Sequence, residues 1–201
     1  MISKRSSMKS HVLIFMHGLG DTSAGWSFLS RALPSYPSRD LDFVFPDAPT
    51  SPVTCNGGMR MTSWFDIVDI PVTKGEPDTP AGYLDSIKKI HAIIDYVKAS
   101  HNLTSDKIIL GGFSQGGAMS LVAASAYPEA LCGCICLSGW GLSRGTAFPS
   151  LSTTLSEVPL FIGHGTADQV TFKTYKGEGH GACEEELKDL ASWIDEVTTA
   201  K

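Results

Sequence analysis

A serine flanked by glycines in the pattern Gly-x-Ser-x-Gly occurs twice in this chain, at Gly112-Phe-Ser114-Gln-Gly116 and at Gly141-Leu-Ser143-Arg-Gly145. A serine hydroxyl attacks poorly until a base takes its proton, and the oxyanion it creates needs donors already aimed at it. The pattern therefore matters only where a strand runs in, the chain turns sharply at the serine and a helix runs out, which lifts the hydroxyl above a sheet. Ser114 has that context: "KIILGG" precedes it and "QGGAMSLVAASAY" follows, with small residues first so that helix and strand can approach closely. Gly112 and Gly116 remove side chains that would collide across such a turn. Ser143 is followed by "GTAFPSL", which holds Pro149 and no helical stripe, so it reads as loop. Ser114 is the candidate nucleophile.

Its partners are sought on either side in sequence. After the first apolar run comes His17-Gly-Leu-Gly-Asp21, placed where hydrolases of this architecture supply one oxyanion N–H, the residue after the nucleophile supplying the other. That makes the backbone N–H groups of Leu19 and Gln115 the candidate oxyanion hole; taken alone, "HGLGD" is equally a glycine turn. Further on, "HGTADQVTFKTYKGEGHG", His164 to Gly181, holds an Asp and a His of the kind that serve a nucleophilic serine.

The elements that must position these residues alternate. Short, nearly continuous apolar runs recur at 11–16, 42–45, 107–110, 131–137, 158–163 and 170–175, as expected of strands covered on both faces. Between them lie helical patterns: Tyr83, Ile87, Ile90, Ile94 and Val97 repeat at steps of three and four, a second helix follows Ser114 and stops at Pro128, and Leu187, Leu190, Ile194 and Val197 make a third stripe. Alternating strand and helix predicts an α/β fold with a mostly parallel sheet flanked by helices. The stretch from Pro46 to Pro80, rich in Pro, Gly, Thr and Asp, reads as one long functional loop region. His91 lies one position off its helix stripe and is assigned a structural role.

With 201 residues and 42% hydrophobic content, one domain over 1–201 is expected, residues 1–10 forming a disordered N-terminal extension. Sixteen basic and 21 acidic residues give a net charge of −5 with no basic block, which argues against nucleic acid as a partner. No apolar core follows "MISKRSSMKS" within its polar segment, so no secretory signal is expected, and no run reaches membrane-spanning length. Of five cysteines, Cys132, Cys134 and Cys136 alternate, which would point all three to one strand face. Buried reduced thiols, and a reducing cytoplasm, fit that usage better than a metal site.

Together "HGLGD", "APTSPVT", "SWFDI", "KIILGGFSQGG", "GHGTAD" and "GEGHG" resemble the acyl-protein thioesterase, carboxylesterase and lysophospholipase family of α/β-hydrolases, over about His11 to Ile194. The resemblance implies an α/β-hydrolase fold, no metal or organic cofactor, and a triad of Ser114, Asp168 and His180 with Leu19 and Gln115 as oxyanion hole. The order Ser, Asp, His is also the one this architecture requires. Substrates would be S-acylated proteins or lysophospholipids, with at most transient contact with a membrane surface. Trp64 falls where the family lines its acyl pocket, and Met61 joins it as a substrate-binding candidate. Met59, Met61, Trp64, Trp140 and Leu142 are expected in surface loops that suit a greasy chain. A short-chain carboxylesterase is the alternative within enzymes.

One feature departs from the family. A parallel crossover usually takes a dozen or more residues, yet only Gln169 and Val170 separate Asp168 from a strand read as beginning at Thr171. Two residues span at most about 7 Å, against about 17 Å for a five-residue strand. A crossover helix is therefore expected to be missing, and the last strand either to drag Asp168 from the carboxyl edge or to turn back as a hairpin with His180 at the wrong end. Either outcome would leave an impaired hydrolase fold that only binds acyl groups.

Overall fold

The computed structural model describes residues 10–33, 41–72, 81–141, 158–165, 173–175 and 183–199, with backbone alone at 165 and 173–175. Residues 1–9 of the expected N-terminal extension lie outside that set. Among the described residues, β1 (His11–Met16), β2 (Leu41–Val44), β5 (Ile108–Phe113), β6 (Gly133–Leu137), β7 (Leu160–Gly165) and β8 (Lys173–Tyr175) form one sheet in the order β2-β1-β5-β6-β7-β8. Every pairing in it is parallel. The helices are α1 (Ser23–Trp26), α2 (Leu29–Ala32), α3 (Tyr83–His101), α4 (Gln115–Ala126) and α5 (Glu184–Thr199). None is long and apolar enough to cross a membrane.

The near-continuous apolar runs of β1 and β5 follow from burial on both faces. Val12, Ile14, Met16, Ile108, Leu110 and Cys134 join a core cluster with Ile87, Ile90 and Ile94 of α3 and Ala118, Met119 and Ala123 of α4. Leu13, Phe15, Ile109, Ile135 and Leu137 belong instead to the cluster that holds Trp26, Leu29 and α5 residues Leu190, Ile194 and Val197. All five apolar positions of the α3 stripe are buried, each worth about 1.5–3 kcal/mol for the larger aliphatic side chains. The helix ends at Asn102, whose left-handed φ of 52° is tolerated better by Asn than by most residues. His91 sits within α3, its Nε2 2.9 Å from the Ala123 carbonyl oxygen of α4, in a structural position.

Three expectations are corrected. The Pro46 to Pro80 stretch contains a two-stranded antiparallel sheet, β3 (Thr50–Val53) with β4 (Met59–Thr62), pairing Thr50 with Thr62 and Val53 with Met59. Its connection turns through Gly57 and Gly58 at φ 64° and 78°, so the sequence Asn56-Gly57-Gly58 was the available hairpin signal. The three alternating cysteines do not share a face: β6 begins at Gly133, so Cys132 precedes the pleat and its thiol lies 3.6 Å from the Val197 carbonyl oxygen of α5. Cys134 belongs to the α4 side, as does Cys136, whose sulfur faces Gly117.

The third correction concerns the last strand. β8 pairs with β7 in parallel, Gly163 opposite Lys173 and Gly165 opposite Tyr175, and is not a hairpin partner. It fits because, among the described residues, it spans Lys173–Tyr175 and pairs with the carboxyl half of β7. The chain must then move back two residues along the strand and across one strand spacing, about 8 Å in all. Residues 166–172 can span about three times that distance. The link still lacks the length of a usual crossover helix, and on the sheet face opposite α5 the side chain of Leu160 is 42% exposed.

Candidate active site

The nucleophile candidate stands where β5 passes into α4, at φ 52° and ψ −117°, a conformation that L residues rarely adopt. Such backbone costs on the order of 1–3 kcal/mol and persists only where its surroundings fix it. Here they do. The Ser114 N–H donates to the Leu137 carbonyl of β6 at 2.8 Å, and the Ser114 carbonyl accepts from Ala118 N–H at 3.0 Å. A Cβ on Gly112 would strike the Gly116 carbonyl, and one on Gly116 would run into the carbonyl oxygens of Met16 and His17. The two glycines thus let α4 rest directly on the ends of β5 and β1.

The loop after β1 lies against this elbow: a Cβ on Gly18 would come within 3.4 Å of the Ser114 Cβ. Anchors flank Leu19 on both sides. Ahead of it, the His17 ring is buried, its Nε2 accepting the Ala48 N–H at 3.0 Å, so that Nδ1 carries the hydrogen and donates to the Gly18 carbonyl at 2.7 Å. Behind it, Gly20 N–H donates to the Thr62 carbonyl at 2.8 Å, Asp21 N–H to the Gly18 carbonyl at 3.2 Å, and Thr62 Oγ1 to the Asp21 carbonyl at 2.5 Å. Among the described residues the Leu19 N–H has no such acceptor. Gln115 is the first residue of α4, a position whose N–H has no intrahelical partner. Two orphan donors at a strained serine can hold a developing oxyanion.

The expected substrate residues take different places. Trp64 is 1% exposed and so does not lie in a surface loop; its indole Nε1–H donates to the His17 carbonyl at 2.9 Å. Met61 is half-buried, with its sulfur beside Gly20 and 3.3 Å from Asn56 Nδ2. Met59 is exposed, and Trp140 is half-buried with its ring edge-on to Phe65 at 6.1 Å. A cleft of about 280 Å³ borders Trp64, Phe65, Pro52 and Ala81, and neither Ser114 nor Leu19 lines it. Leu142, Ser143, Asp168 and His180 lie outside the described residues. The described strands β7 and β8 run parallel to β5, so their carboxyl ends lie at the sheet edge from which Ser114 rises; Asp168 follows β7 and His180 follows β8 in the sequence.

Sequence reasoning missed the side chain of Gln115. Fully buried, it accepts the Trp64 N–H at Oε1 (3.0 Å) and donates from Nε2 to Ser63 Oγ (3.0 Å) and the Phe65 carbonyl (2.7 Å). A polar residue directly after the nucleophile was the only sequence signal for it.

The model of the phospholipase/carboxylesterase family matches residues 1–171. The chain belongs to that family. It is 36% identical to acyl-protein thioesterase 1 of Mycosarcoma maydis over all of this chain and 97% of that protein. A probable carboxylesterase SOBER1-like protein of Arabidopsis thaliana is 32% identical over 96% of this chain and 81% of its own length. The crystal structure of Arabidopsis thaliana SOBER1 superposes with a TM-score of 0.85 at 30% identity, covering 93% of this chain and 98% of that one. These neighbours bear out the α/β-hydrolase fold and the family resemblance. The Mycosarcoma alignment runs over 234 positions against a chain of 201 residues, so the relative has residues opposite gaps in this chain. The family match ends at Thr171, one residue past Val170, where the link before β8 is short.

Proposed function

We propose that the protein is a serine esterase and thioesterase that transfers the acyl group of a thioester or oxyester to Ser114 and then to water. The observation that carries this reading is the strained Ser114 beside two backbone donors, Leu19 N–H and Gln115 N–H, that have no acceptor among the described residues. His180 takes the hydroxyl proton as Ser114 Oγ bonds to the acyl carbon, and the oxyanion sits between the two amides. Collapse of the tetrahedral species expels the thiol or alcohol, which receives that proton from His180. Water then repeats the sequence on the acyl-enzyme and frees the acid. Asp168 holds the imidazole tautomer and stabilises its charged form.

Long-chain S-acylated proteins, which are thioesters, are the substrate class favoured by likeness to acyl-protein thioesterases, and lysophospholipids are a second class, of oxyesters, in keeping with the phospholipase/carboxylesterase family. A short-chain carboxylesterase is the competing reading, supported by the likeness to SOBER1. Fluorophosphonate labelling with peptide mapping tests the common core, since the probe needs an activated hydroxyl. Modification of Ser114 is expected; modification of Ser143 alone would overturn the assignment, and modification of neither would favour the non-catalytic acyl-binding protein. Turnover across acetyl, octanoyl and palmitoyl thioesters then separates the substrate classes: a rise with length supports protein deacylation, a fall the carboxylesterase.

A further inference from the structure

Trp64 and the Gln115 side chain form one closed set of hydrogen bonds with the loop that carries Leu19. The Gln115 amide spends all three bonds on residues 63 to 65, and its orientation is unambiguous, because reversing it would set NH₂ against the Trp64 N–H and oxygen against the Phe65 carbonyl. Ser63 Oγ donates to the Phe65 carbonyl at 2.5 Å, and Ser86 Oγ of α3 donates to the Trp64 carbonyl. Trp64 is therefore gripped at its N–H and its carbonyl, and its indole points one donor at the His17 carbonyl. The His17 peptide lies between that donor and Gly116 of α4, with the imidazole 5.5 Å from the indole. All these groups are buried. A buried and fully satisfied polar network specifies one geometry, since any shift strands a donor or acceptor without water.

The network ties together two segments far apart in sequence. Gln115 supplies one proposed oxyanion donor from its own backbone, while its side chain, through Trp64, fixes the peptide two residues before the other donor. Leu19 needs such a brace because its own N–H must stay unbonded to serve the oxyanion.

We propose that Trp64 and the Gln115 side chain are positioning residues that set the Leu19 N–H against the Gln115 N–H through the His17 carbonyl, and that Trp64 is a brace of the oxyanion hole and not a wall of the acyl pocket. The inference rests on the reading of Leu19 and Gln115 as oxyanion donors. Trp64→Phe removes the indole donor and keeps an aromatic ring. The expected result is a fall in kcat of about 10- to 100-fold, KM within about twofold, and the same loss on acetyl and palmitoyl substrates. A pocket wall would instead raise KM for palmitoyl substrates and spare acetyl ones, and that outcome overturns the brace.

Amide NMR of the full chain provides a readout independent of turnover and of stability differences. In Trp64→Phe the Leu19 and Gly20 amides should shift and lose heteronuclear NOE while those of β6 stay fixed; unchanged Leu19 and Gly20 signals would overturn the inference. Gln115→Met, which retains side-chain volume, should reproduce the Leu19 change from the other end of the network, and failure to do so would remove Gln115 from it. If wild-type protein resists the fluorophosphonate yet Trp64→Phe still mobilises Leu19, the enzyme reading fails and the brace stands. If wild type is labelled and Trp64→Phe changes neither kcat nor the Leu19 amide, the brace fails and the enzyme reading stands.

Discussion

The two halves of the candidate machinery are held in different ways. Around Ser114, close glycine contacts, bonds to the Leu137 carbonyl and the Ala118 N–H, and the buried Gln115 network hold the backbone, so the strained φ of 52° is set by its surroundings. At the other half, Asp168 and His180 depend on β7, a three-residue β8 and a link of seven residues, with α5 packed on one face only of the sheet there. The elbow is specified by contacts within a few ångströms, whereas on the proposed assignment the acid and base depend on chain length and strand direction. Parallel pairing of β8 keeps the direction right even with a short link.

The largest expected effect lies at the elbow. Ser114→Gly should lower esterase activity by at least about 10³-fold, while raising stability by about 1 kcal/mol because glycine relieves the positive φ. Urea unfolding beside a turnover assay checks both. A loss of stability would mean that the elbow is not strained, and the first half of the comparison would break.

The next effect separates the two faces of β7. Phe161 is 9% exposed and packs on Trp193 of α5 at 5.8 Å, so Phe161→Ala should cost about 3 kcal/mol. Leu160→Ala, one residue away on a face that no helix covers among the described residues, should cost less than about 1 kcal/mol. Equal costs in urea unfolding would show that the Leu160 face is covered in solution.

Much of this was legible in the sequence where the physics is local. The stripe from Tyr83 to Val97 marks one face of α3, and the small residues after Ser114 mark a helix that must pack closely. The β8 pairing was misread because the run beginning at Thr171 was set against the full length of β7, whereas the described pairing runs over Lys173–Tyr175 and meets the carboxyl half of β7. Register between strands is a tertiary property, and a run of β-formers does not record how much of it finds a partner. The Gln115 network was hidden for a related reason: its partners Ser63, Trp64 and Phe65 lie about fifty residues away, and a glutamine carries no periodic signal of burial.

A smaller expected effect concerns the thiols. Burial pushes Cys134 and Cys136 up to about 12, so they stay protonated and unreactive at pH 8. Iodoacetamide on the folded protein should modify Cys55 and Cys183, both partly accessible, and spare that pair. Mass mapping that finds Cys134 or Cys136 alkylated as quickly as Cys55 would show that the sheet opens beside β7.

The joining of the two halves is tested most directly by the rate at which a fluorophosphonate modifies Ser114 in the intact chain, compared between wild type and His180→Ala. If β8 delivers His180 to the elbow, wild type reacts at Ser114 and His180→Ala reacts at least about 100-fold more slowly. Equal rates in the two proteins would mean that His180 never reaches the serine, and would contradict the account.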